Sequence, residues 1–101
     1  MAIVVRQTAS GDPMEFEVEV GEGRGQTRHH VTMARATHAK LAAGRGSPEE
    51  CIRAAFAFLL DREPKESILS QFDVTVISRY FPEFETALGR YLSSEGPSKA
   101  R

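Results

Sequence analysis

The residues of this chain that could do chemistry are three histidines, a lone cysteine and two blocks of opposite charge. His29 and His30 are adjacent, with His38 further on, and imidazole is a common metal ligand. Neighbouring residues of an extended strand point to opposite faces, so His29 and His30 cannot share one ion if their segment is a strand. No cysteine pair, His-Glu-x-x-His run or Asp-rich calcium loop accompanies them, so neither a metal nor a cofactor is expected. Cys51 follows Glu49 and Glu50 and precedes Ile52, Ala54 and Ala55, the surroundings of a buried, inert thiol. No serine sits in a nucleophile elbow, and no catalytic residue is assigned.

The charge blocks invite a different chemistry. From Ala9 to Gly23 there are five acids and no bases; from Arg24 to Arg45 there are five bases, all three histidines and no acids. Read linearly, the second block is a candidate polyanion patch, with Arg24, Arg28, Arg35 and Lys40 as its contacts and a Gly-rich tip around Arg24. No aromatic residue lies between Gly21 and Leu41 to stack on bases, which disfavours nucleic acid.

The elements that carry these charges explain them better. Met14, Phe16, Val18 and Val20 alternate with Glu15, Glu17 and Glu19, and the alternation resumes after Gln26. A register pairing Val20 with Thr27 sets Val18 against His29, Phe16 against Val31 and Met14 against Met33 on one face. On the other it sets Glu19 against Arg28 and Glu17 against His30. His29 then belongs to the apolar face as a hydrogen-bonded packing residue, and His30 to a surface pair.

Beyond the hairpin, the hydrophobic period changes from about 2 to about 3.6 near Ala34. The expected fold is α+β: an antiparallel meander of two or three strands over about 2-8, 14-20 and 27-34, then three to five helices packed on one sheet face. The helices are expected over about 36-43, 48-62, 65-71, 74-81 and 83-92, with a strand over 74-77 as the alternative for the fourth. Ser47-Pro48-Glu49-Glu50 is the clearest start, a capping box with proline at the first helical position. The apolar residues from Cys51 to Leu60 surround most of their helix, the pattern of a central buried rod. Ile77, Phe81, Phe84, Leu88 and Tyr91 form a stripe that crosses Pro82, so a kink or break is expected at Phe81.

Ile77-Ser78-Arg79-Tyr80 resembles the end of the recognition helix in helix-turn-helix repressors, which implies DNA contact. Here two residues are missing before Ile77, Asp73 replaces the turn glycine, and Glu83 and Glu85 follow.

With 101 residues, 41% of them hydrophobic and 27% charged, the chain can build one core, and a net charge of −1 gives no overall field for polyanions. A single domain over 1-93 is expected, with a disordered polar tail over 94-101. The longest apolar run, Ala54 to Leu60, is seven residues, against roughly 20 for a membrane span. With an unpaired cysteine and no secretory signal, a cytoplasmic protein is expected. The function expected from these residues is a small non-enzymatic interaction or regulatory module, with nucleic-acid binding through the basic block as the alternative. The partner is an unspecified protein or a second copy in a homodimer. Tyr80, Phe81, Phe84 and Tyr91 are its candidate contacts, where short helices can leave apolar area uncovered.

Overall fold

Alternation in the first third of the chain produces an antiparallel meander of β1 (Ala2–Ala9), β2 (Met14–Glu22) and β3 (Gly25–Met33). The computed structural model describes residues 2–22 and 25–95. The β2–β3 register is the one that satisfies both faces, with Met14 opposite Met33, Phe16 opposite Val31, Glu17 opposite His30 and Glu19 opposite Arg28. Gly21 lies at φ 150°, and a Cβ there would collide with the Gly25 carbonyl oxygen, so the hairpin end requires glycine.

Helix α1 (Arg35–Ala42) follows at once and has no side-chain cap of its own at Ala34. Asp12, in the turn between β1 and β2, supplies one by accepting from the Arg35 amide at 3.1 Å. The Arg35 side chain closes the same contact by donating to the carbonyls of Gly11 and Ser10. The helix ends with Ala43 and Gly44 both at positive φ.

Helix α2 (Pro48–Leu60) starts at the expected capping box: Ser47 accepts from the Glu50 amide at 3.1 Å, and Glu50 accepts from the Ser47 amide at 2.7 Å. Residues two apart on a helix point roughly 200° from one another. Phe56 accordingly faces His29 and Phe72 on the sheet side, at ring-centroid distances of 5.2 and 6.0 Å. Phe58 faces Phe81, Phe84 and Tyr91 on the other, at 5.8, 5.1 and 5.8 Å. Both phenylalanines are fully buried, which makes α2 the axis of the core.

Where a helix is expected over 65–71, the chain makes one 3-10 turn at Lys65–Ser67 and then extends into β4 (Gln71–Asp73). This short strand lies parallel to β3, so α1 and α2 form a crossover and the sheet has four strands in the order β1-β2-β3-β4. Residue 74 onward is not strand: α3 (Thr75–Tyr80) begins there, with Asp73 accepting from both the amide and the hydroxyl of Thr75. The break expected at Phe81 is present, and α4 (Phe84–Glu95) resumes the stripe beyond Pro82. Of the tail expected from residue 94, residues 96–101 lie outside the described residues.

The helices lie on the inner side of the sheet, with α2 against the strands and α4 against the opposite side of α2. The outer face carries Arg6, Glu15, Glu17, Glu19, Arg28, His30 and Asp73 and none of the buried core. No helix among the described residues is long and apolar enough to cross a membrane.

Candidate docking groove

The segment that leaves α2 has no helical or strand ladder long enough to fold its apolar side chains inward completely. Ile68 and Phe72 reach the core, whereas Leu69 between them stays 49% exposed. Its position is nonetheless fixed. The Leu69 carbonyl accepts from His29 Nδ1 at 2.7 Å, and a carbonyl can only accept, so Nδ1 carries the proton. In the neutral ring Nε2 is then the acceptor, taking the Thr27 hydroxyl at 2.8 Å. A buried imidazole packed at a tilt against Phe56 thus pins this loop to β3.

Opposite the loop stands α3, six residues long, with Val76 and Ile77 facing inward one turn before Tyr80 and Phe81. Between loop and helix runs an open groove of about 430 Å³, floored by Leu59 and Phe72. Tyr80 stands at its rim, 69% exposed. Among the described residues its only charged lining residue is Glu63, three positions past the end of α2, and Ser67 is its other polar side chain away from the rim tyrosine. On the far side of Glu63 a more open hollow of about 480 Å³ separates β1 from the 61–66 turn, where Asp61, Lys65 and Glu66 stand beside Ile3, Ala57 and Leu60.

The candidate contacts named from sequence do not form one surface. Tyr80 and Phe81 line the groove, but Phe84 is 1% exposed and belongs to the core. Tyr91 packs edge-on against Phe58 and donates to Asp61 at 2.5 Å. Arg62 donates to Tyr91 and Glu83 while lying 3.7 Å above the Phe58 ring, so the end of α2 is riveted to α4.

The basic block is likewise dispersed. Arg28 pairs with Glu19 at 3.3 Å, Lys40 with Glu85 at 3.4 Å, and Arg35 holds the β1–β2 turn. Arg24 lies outside the described residues. The segment resembling a recognition helix is preceded by β4 rather than by a second helix, so it is not a helix-turn-helix.

His30 sits between two carboxylates, with Nδ1 2.8 Å from Glu17 and Nε2 3.2 Å from Glu15. The hydrogen bond to Glu17, reinforced by the charges of both acids, raises its pKa from the ordinary value of 6.5. Cys51 is buried, and burial pushes its thiol up to about 11, so it stays protonated at neutral pH. Among the described residues no group of three or more His, Cys, Asp or Glu is placed to hold a metal ion.

The chain matches no family model, no curated protein and no solved structure. The functional reading therefore rests on geometry, and the groove is the feature with the geometry of a binding site: concave, apolar and framed by residues fixed from behind. Sequence reasoning named Tyr80 and Phe81 but not Leu69 or Glu63 as contacts. Ile68, Leu69 and Phe72 read as one side of a helix, and only the turn to an extended chain leaves Leu69 outside.

Proposed function

We propose that this protein is a small non-enzymatic interaction module that receives an apolar segment of a partner protein in the groove between the 65–70 loop and α3. The observation that carries this reading is the company of Leu69 and Tyr80. Only three large hydrophobic side chains are strongly exposed among the described residues, and these two line the same groove from different elements. The third, Val4, stands apart on the outer sheet face of the edge strand β1, opposite Glu19. Scattered apolar residues are ordinary on a surface, whereas paired ones around a concavity mark a contact site. The charged outer face offers less, because its acids and bases already answer one another across the strands.

The test is a random peptide library selected on the full chain and counter-selected on Leu69→Lys and Tyr80→Lys. Enrichment of peptides with paired apolar anchors that bind the wild type and neither variant is expected. Peptides that bind all three proteins equally, or no enrichment at all, would overturn the reading.

A further inference from the structure

We infer that the groove selects a basic amphipathic segment, one in which two apolar anchors stand beside a Lys or Arg that pairs with Glu63. This rests on the groove being the docking site. The acids around the end of α2 and the start of α4 are otherwise engaged: Asp61 accepts from Tyr91 at 2.5 Å, Glu66 pairs with Lys65 at 3.0 Å, and Glu83 with Arg62 at 3.1 Å. Asp73, below α3, takes the hydroxyls of Thr32 and Thr75. Glu63 is the exception, half-buried on the groove wall with no side-chain hydrogen bond or ion pair among the described residues.

An apolar segment seated in the groove strips water from that carboxylate. Uncompensated, this costs binding energy; a cation delivered by the segment offsets it and fixes its orientation. The neighbouring cations are engaged elsewhere, Lys65 with Glu66 and Arg62 with Glu83. A second copy of this chain is a poorer occupant. A two-fold interface uses the same patch twice and would gather both Glu63 carboxylates into one desolvated contact.

Three fluorescein-labelled amphipathic peptides, identical except for Lys, Gln or Glu beside a Leu/Phe anchor pair, test this by anisotropy on the full chain at low and high salt. The Lys peptide is expected to bind about three- to fivefold more tightly than the Gln peptide at low salt, with the Glu peptide weakest. Glu63→Gln should abolish that preference and tighten the Gln and Glu peptides, which no longer desolvate an unpaired carboxylate; Glu63→Lys should invert it. Leu69→Lys should remove binding of all three. If the peptides bind the wild type alike and Leu69→Lys still abolishes binding, the groove stands and its basic selectivity falls. If Leu69→Lys has no effect on any of them, or none binds, both fall. A dimer in sedimentation that Leu69→Lys dissociates would assign the groove to a second copy and overturn the inference.

Discussion

The Arg53 guanidinium donates to the carbonyl oxygen of Ile3 at 2.6 Å, tying the central helix to the outer edge of the sheet. One turn earlier on α2, Glu49 accepts from the Gln7 amide at 3.1 Å. Both backbone groups belong to the side of β1 that no strand covers, so two helix side chains occupy an edge that would otherwise template pairing with another chain.

Removing that cover should expose the edge. The double variant Glu49→Ala/Arg53→Ala is expected to self-associate with rising concentration, and Arg53→Ala alone to lose about 1.5–3 kcal/mol, the scale of a hydrogen bond from a charged donor. Light scattering across a concentration series, with denaturant unfolding alongside, checks both. A double variant that stays monodisperse where the wild type does would show that β1 is protected by its twist or its own charges instead.

His30 gives the fold a pH signature. Its protonated ring can donate to Glu17 and Glu15 together, whereas the neutral ring donates to only one of them. Because the folded pKa is raised above 6.5, the stabilisation is fully present below that value and is lost as pH rises through the raised one. The midpoint in an NMR titration should lie above 6.5, and Glu17→Gln should lower it more than Glu15→Gln, because the Glu17 contact is the shorter. A midpoint at or below the ordinary value contradicts the pairing. The energy involved is small, since the histidine and both acids remain partly solvated.

The hairpin was legible because its information is local and redundant. Each of Met14, Phe16, Val18 and Val20 votes for one register, and Glu17 and Glu19 vote for the same register on the opposite face. The capping box before α2 is equally local. Strand β4 was not legible. Its three residues cannot display a period, and it is defined by backbone hydrogen bonds made some forty positions away, from the His30 amide to the Ser70 carbonyl and from the Val74 amide to the Thr32 carbonyl. Missing β4 hid the groove as well, since Leu69 reads as the buried face of a helix until its chain is seen to be extended. The stripe from Ile77 to Tyr91 is real, but the break at Pro82 sends Phe84 and Leu88 into the core and leaves Tyr80 in solvent.

Cys51 should behave as a core residue. It is fully buried and its thiol is raised to about 11, so both the thiolate fraction and access are low at neutral pH. Alkylation by iodoacetamide at pH 7 is expected to follow the rate of global unfolding and to accelerate in denaturant. Fast labelling of the native protein, with the fold intact by circular dichroism, would mean that the first turn of α2 opens locally.

The bond from His29 to the Leu69 carbonyl joins core and groove, so it should be separable from simple packing. His29→Leu keeps apolar bulk against Phe56 but strands the carbonyl and the Thr27 hydroxyl, at a cost of about 1–3 kcal/mol. The loss should be local before it is global. Amide exchange is expected to quicken over 68–71, where β4 begins, while the β2–β3 ladder stays protected. Groove-binding peptides should weaken in step, because Leu69 is no longer held at the wall. Uniformly faster exchange across the sheet would instead make His29 an ordinary core residue with no special hold on the groove.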